Sequence, residues 1–459
     1  MFNLLVLIYA ILYFVLARIR PSWALMLIIA ALPSYLIRFS VFGVPATLLE
    51  LMILLLFFSW IFDIRKKLFN KKDRLPYPFK WEMIALLLVS YSSVFVASLS
   101  SSALGIFKAY FFEPIIFFIL IINILGRDKR FVEKIIWPML VSALAVSLLA
   151  VYQKITGQFI FNEFWANEAT RRSVSFFGYP NAVGLYLAPI IVILSSFLHQ
   201  KLSVSFNWKK IWEIIIISLT IVLSLLSIYF ARSEGALVGV LAAVIFYGLL
   251  VNKKMRRITI ITLVVGLIII VSVPKALDYA RHKITLTDLS GQIRRQQWVE
   301  TKKLLVADNN WILGVGLSHY QESIAPFHQE GIFVKNDDPN WLEKVRTSAV
   351  YRAQVWQPTE IYMYPHNIFL NFWIELGLLG MLVFIWIIIK YLYQSVKLFV
   401  QEKKKGNINF VVLGLGSAMI ATLVHGLVDV PYFKNDLSLL FWSLIAFLGI
   451  FLINYNNKE

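Results

Sequence analysis

The chain has 459 residues, 59% of them hydrophobic, and a mean hydropathy of +0.72, against about 45–50% apolar content in soluble domains. The excess lies in runs long enough to cross a bilayer, so the sequence reads as an integral membrane protein. A formal charge of +18 would suit nucleic acid, but the basic residues sit in short loops between apolar runs and carry topology information instead, so no nucleic-acid partner is expected. With no cysteine, a disulfide framework, a thiolate metal site and a Cys nucleophile are excluded.

The first residues, Met1-Phe2-Asn3, lack a basic stretch, and the run after them leads into Arg18-Ile19-Arg20-Pro21 without a small-residue cleavage site. A retained first span is expected. Thirteen apolar runs follow one another: 3–17, 22–37, 46–62, 82–98, 104–125, 135–153, 181–199, 211–230, 236–251, 258–273, 366–390, 409–428 and 437–454. The first two are short, which gives about 12–13 spans. Alternating the loops puts 26 Lys and Arg on one side (Arg18 and Arg20, 63–80, 126–134, 200–210, 252–257, 390–407 and the tail) against seven in the other side's short loops. By the positive-inside rule the first side is cytoplasmic.

The long segment 274–364 then lies outside. It carries 11 basic and ten acidic residues, so it is no polyanion-binding tail. Trp298, Leu304, Leu305, Trp311, Ile312, Phe327, Phe333 and Trp341 give it apolar content enough to pack as a small helical cap. A connection of this length points to function. The expected fold is all-α: a polytopic transmembrane helical bundle with a periplasmic or extracellular helical cap. Residues 1–273 and 365–459 form its membrane parts and 274–364 the cap. No internal repeat is evident, which weighs against many transporter folds.

The outer face collects polar groups. Arg171 and Arg172 precede Phe177-Gly178-Tyr179-Pro180-Asn181, where Pro180-Asn181 reads as a turn and N-cap. Arg232-Ser233-Glu234-Gly235 makes a tight outer connection, and Arg294 and Arg295 lie on an amphipathic stretch. Tyr364-Pro365-His366-Asn367 opens the eleventh run with a proline suited to a helix start. Helical spacing would then put His366, Leu370, Trp373, Gly377 and Gly380 on one face, where the glycines admit another helix. Glu375 falls half a turn away and reads as structural, since a charge inside the bilayer must face protein.

Several arginines and a histidine on an outer membrane face suit a lipid-linked pyrophosphate. Guanidinium matches phosphate oxygens in bidentate fashion, and fixed arginines can neutralise a diphosphate leaving group without a metal. A neutral imidazole can take a proton from an attacking hydroxyl. Each residue also has a plainer role available. Arg171 and Arg172 suit lipid headgroups, Arg232 could pair with Glu234, and Arg294 and Arg295 could form a solvated face. His366 could be a helix-start residue. His425 and Asp429, four apart, could pair on one face and lock two helices or orient a catalytic group. No phosphate loop, zinc motif or dinucleotide fingerprint is present, and neither a metal nor a cofactor is indicated.

These residues resemble a known family. His366-Asn367, nine residues, then Gly377-x-x-Gly380 is similar to the outer-loop-to-helix signature of the O-antigen ligase/polymerase superfamily of polytopic glycosyltransferases. Arg172 through Asn181 resembles its Arg…Phe-Gly-x-Pro-Asn segment, and Arg294-x-x-x-Trp298 with Leu313-Gly314-Val315-Gly316 resembles its Arg-x-x-x-Trp…Gly-x-Gly element. The likeness spans roughly 165–390, and residues 1–160 agree only in hydropathy. Glu234 stands where the family often has arginine, and Arg232 could supply that guanidinium instead.

The resemblance implies a GT-C-like, metal-independent, inverting glycosyltransferase. It would move a glycan from an undecaprenyl-pyrophosphate carrier to an acceptor hydroxyl on a glycan, lipid or protein, at the outer face of the cytoplasmic membrane. His366 would be catalytic. Arg172, Arg232 and Arg294, with Arg171 and Arg295, would hold the pyrophosphate, and Asn367, Asn181, His425 and Asp429 would support the site. The other reading from the same superfamily is a membrane transporter of anions or polysaccharide, and a third is a scaffold with a partner-binding outer loop.

Overall fold

Apolar runs in a bilayer must satisfy their backbone groups within the segment, and these runs do so as helices. The computed structural model describes residues 2–41, 43–67, 75–204, 208–307 and 310–457. Parts of the basic loops 63–80 and 200–210 and the basic tail residue Lys458 lie outside the described residues. The chain starts with α1 (Phe2–Ile19) and α2 (Pro21–Ala30), with Pro21 at the first helical position. Run 22–37 is not one helix. The ten residues of α2 reach only about 15 Å. Pro33 then lies in a 3-10 turn, and the short hairpin β1 (Arg38–Val41) and β2 (Val44–Thr47) follows.

The next helices are α3 (Leu48–Lys67), α4 (Lys80–Val96), α5 (Ser101–Phe107), α6 (Glu113–Leu125) and α7 (Phe131–Thr156), with a π turn joining α5 to α6. A short α8 (Glu163–Ala166) leads to α9 (Pro180–Leu202), α10 (Trp208–Phe230), α11 (Glu234–Val251) and α12 (Lys253–Ser272). After the segment that follows, α19 (Ile368–Lys404), α20 (Phe410–Gly426) and α21 (Asn435–Asn456) complete the bundle. Eight described stretches are long and apolar enough to cross a membrane, and α1, α2, α3 and α20 contribute shorter apolar helices. The protein is a multi-pass helical membrane protein. Its core lies along α9, α20 and α21, whose residues are mostly buried, whereas none of α12 is.

Between α12 and α19 the chain forms α13 (Pro274–Ile284), α14 (Leu289–Val306), α15 (Asn310–Leu313) and α16 (Tyr320–Ile324). The strand β3 (Gly331–Phe333), α17 (Trp341–Thr347), α18 (Ala349–Val355) and β4 (Trp356–Pro358) follow. Leu304 and Leu305 of α14 and Tyr320 and Ile324 of α16 close on Ile374 of α19, so this segment is seated on the first turns of a membrane helix. Of the apolar residues expected in the cap, Trp311, Ile312 and Phe333 remain exposed.

The expected continuous face through His366 and Gly380 does not form. His366 precedes the helix at φ 45°, Asn367 is the N-cap, and α19 is kinked at Gly377 with φ 74° and ψ 179°. What enters at the glycine is a loop, not a helix. A Cβ on Gly377 would fall 2.3 Å from the Ile312 carbonyl oxygen, and one on Gly314 2.5 Å from that of Ile374. Val315 N–H donates to the same Ile374 oxygen at 2.7 Å. Buried Glu375 fastens this loop by accepting from Ser318 N–H at 3.1 Å, and Ser93 of α4 donates to its carbonyl at 2.6 Å. Gly377→Ala meets both a forbidden φ and a filled space, so a loss of about 2–4 kcal/mol is expected in thermal melting in detergent. Gly266→Ala, where a Cβ meets open space, should melt like the parent.

Candidate active site

Four segments far apart in sequence (162–181, 290–297, 357–366 and 429–433) wall a cavity of about 780 Å³ where the cap meets the bundle. They belong to connections that alternation of the spans places at one end of the bundle. The cavity has the size of a substrate site, with a few convergent polar groups among aromatic walls.

His366 is held by its neighbours. The Pro365 carbonyl accepts from Trp298 Nε1 at 2.8 Å, while the Asn367 side chain caps Leu370 N–H at 3.0 Å and donates to the Leu427 carbonyl at 3.0 Å. These anchors hold the imidazole residue in the left-handed region, which is costly without glycine. Gln297 Oε1 accepts from His366 Nδ1–H at 2.9 Å, which leaves the Nε2 lone pair available. The ring meets Tyr362 edge-on with centroids 5.0 Å apart. Burial lowers the His366 pKa below the ordinary imidazole value; Asp429 raises it in part and Arg294 lowers it further. The imidazole is neutral at pH 7.

Two arginines enter the cavity wall. Arg172 lies over the Trp165 ring at 4.9 Å and donates to the Ala231 carbonyl at 2.9 Å and to Asn181 Oδ1 at 3.2 Å. Arg294, one turn before Gln297 on α14, donates to the Val428 carbonyl at 2.9 Å and to Ser290 Oγ. Asn181 is not the N-cap expected: Tyr179 holds that position without a side-chain bond, and Pro180 is the first helical residue. Its amide is therefore free to join Arg172 to Asp429, donating to Asp429 Oδ2 at 3.1 Å.

Other expected site residues lie elsewhere. Arg171 donates to the carbonyls of Lys154 at 3.2 Å and Ile155 at 3.4 Å and so caps α7. Arg295 faces away from the cavity into a groove on the other side of α14. Arg232 is exposed at φ 49°, outside the cavity lining, and its carbonyl accepts from Arg172 Nη2 at 3.4 Å. Its expected pairing with Glu234 is replaced by Lys283, which reaches that carboxylate at 2.5 Å. His425 and Asp429 form no ion pair among the described residues, because α20 ends at Gly426 and the four-residue spacing loses its helical meaning. His425 is buried against Gly235 instead, and Asp429 accepts from Val430 N–H at 2.9 Å.

Sequence reasoning passed over Gln297, Tyr362 and Trp165. Gln297 was legible as the residue three after Arg294 on one helix; nothing local marks the other two. Lys434, one of the seven basic residues of the less basic side's short loops, is half-buried over the Phe177 ring at 3.9 Å and pairs with Asp436 at 3.5 Å, which braces the segment before α9 against α21.

Comparison with protein families gives a match over residues 219–385 to the family model described as O-antigen ligase. That stretch carries Arg232, Arg294, Gln297 and His366; Arg172, Asn181 and Asp429 lie outside it. No curated protein matches the chain.

Proposed function

We propose, for a chain that belongs to the O-antigen ligase superfamily, transfer of a glycan from undecaprenyl pyrophosphate to an acceptor hydroxyl at the outer face of the cytoplasmic membrane. The family match supports a glycosyltransferase of the O-antigen ligase or polymerase type, with a lipid-linked glycan and an acceptor as partners. One observation carries the finer reading. Two guanidinium groups, Arg172 and Arg294, share a single cavity with a neutral imidazole whose Nε2 has no partner among the described residues.

In this reading Nε2 of His366 takes the proton of the acceptor hydroxyl as its oxygen bonds to the anomeric carbon. The bond from that carbon to the carrier's phosphate oxygen breaks, and its electron pair leaves on the pyrophosphate. Arg172 and Arg294 neutralise the charge that develops there, which is the work a metal would otherwise do. Arg232, adjoining Arg172, is the third cation available. Attack opposite the leaving group inverts the anomeric centre. The Asp429 carboxylate steadies the imidazolium, and Gln297 fixes the tautomer. The acceptor hydroxyl is on a glycan, a lipid or a protein.

The pH profile of transfer tests the base. A neutral His366 is the active form, so rate falls as pH drops through its pKa, below about 6.5. Asp429→Asn removes the negative charge that raises this pKa, so the acid limb should move to lower pH; a limb that stays or moves up contradicts the assignment. The reaction itself is tested in liposomes with undecaprenyl-pyrophosphate glycan and candidate acceptors in the presence of EDTA. Glycosylated acceptor and free undecaprenyl pyrophosphate are expected. Ion flux without either product would favour a carrier.

A further inference from the structure

Arg294 and Arg295 are neighbours on α14, yet they serve different spaces. Arg294 and Gln297 face the cavity, whereas Gln292, Arg295, Gln296 and Val299 line a second groove of about 740 Å³ within the cap. The ribbon of β3 and β4 divides the same way: Trp356 lines the groove, and the next residues, Gln357 and Pro358, line the cavity. The two spaces are therefore separated by a wall one helix and one ribbon thick.

The groove combines flat apolar surfaces with planar polar groups. Trp356 is 43% exposed and lies 4.9 Å, centroid to centroid, from Phe333. Its indole rests on Gly331, where a Cβ would fall 2.4 Å from Cζ2, so only glycine leaves room for the ring there. Trp341 is fixed by donating from Nε1 to the Val334 carbonyl at 3.0 Å. Arg295 and Glu330 are both exposed and line the groove. Gln292 is committed to the walls, bonding Thr287 and Lys335 at 2.6 Å and 2.9 Å. Preset aromatic faces suit the C–H faces of sugar rings, and a guanidinium and a carboxylate in the same lining supply both donors and acceptors for hydroxyls.

We infer that this groove is a glycan subsite, which holds sugars of the donor chain distal to the pyrophosphate. The inference rests on the transferase reading for the identity of that chain. Arg295, placed by sequence with the pyrophosphate ligands, then binds hydroxyls on the far side of the helix that carries Arg294.

The test is calorimetric titration of the full-length protein in detergent with glycan released by mild acid from the host's lipid-linked pool. Trp356→Ala should weaken binding by about tenfold and Arg295→Gln by about threefold. Trp356→Phe, which keeps an aromatic face, should retain most of it, and His366→Ala should bind like the parent. Absence of binding to the parent, or unchanged binding by both Trp356→Ala and Arg295→Gln, overturns the subsite. Arg295 makes no hydrogen bond or ion pair among the described residues and is exposed, so its variant reports even if Trp356→Ala fails to fold. If His366→Ala transfers normally while binding depends on Trp356, the catalytic reading fails and the subsite stands. If transfer needs His366 while binding ignores Trp356 and Arg295, only the subsite fails.

Discussion

Replacing His366 with alanine is expected to lower glycan transfer by about 10²–10⁴-fold, the range a positioned general base supplies. The geometry makes the effect specific to chemistry. His366 is held at φ 45° by Pro365 and Asn367, and its Nδ1 is occupied by Gln297 at 2.9 Å, so only Nε2 faces a substrate. Removing the ring leaves both arginines with their own carbonyl partners, Ala231 for Arg172 and Val428 for Arg294. The fold and the charge of the cavity should therefore survive, and the loss should appear in turnover. His366→Gln, which cannot act as a base, should lose as much; recovery by glutamine would show that His366 only positions the acceptor.

Replacing Arg294 with alanine should cost about 10²–10³-fold in transfer, as removal of one fixed donor from a developing anion does. Lysine should recover little of it, because a point charge on a flexible stem reproduces neither the forked contact nor the bond to Val428. Part of this loss has a second source. Arg294 lowers the pKa of His366, so its removal also moves the imidazole toward its protonated form. The deficit should thus be larger near pH 6 than near pH 8. Arg171 is the control: it caps α7 away from the cavity, and Arg171→Ala should lower the melting temperature more than it lowers turnover.

The helices were legible because hydropathy reports burial in lipid, and every apolar run forms at least part of a helix. The polar site was legible as a set of segments: sequence put Arg172, Arg294 and His366 on one side of the membrane, and the fold puts all three around one cavity. What sequence did not carry was direction. Arg171 and Arg172 are adjacent, as are Arg294 and Arg295, and only the second of the first pair and the first of the second pair reach the cavity. Adjacent side chains on α14 diverge by about 100°, and Arg171 and Arg172 lie in irregular chain between α8 and α9, so which of two arginines matters depends on tertiary packing. The helix start was misplaced by Pro365, when Asn367 makes the capping bond. The glycines were read as helix contacts, but Gly377 is a break that admits the loop at 312–316. Asp429 was given a local partner four residues away; its actual partner, Asn181, is 248 residues distant and invisible to spacing.

In the proposed reaction the cavity holds a carrier pyrophosphate on Arg172 and Arg294 while His366 acts on the acceptor. Equilibrium binding of undecaprenyl pyrophosphate to the purified protein, set beside transfer by the same samples, tests it most directly. The expected result is that His366→Ala binds the carrier like the parent but fails to transfer, while the double variant Arg172→Ala/Arg294→Ala loses both. Carrier binding that is unchanged in the double variant would rule out pyrophosphate held by these two arginines.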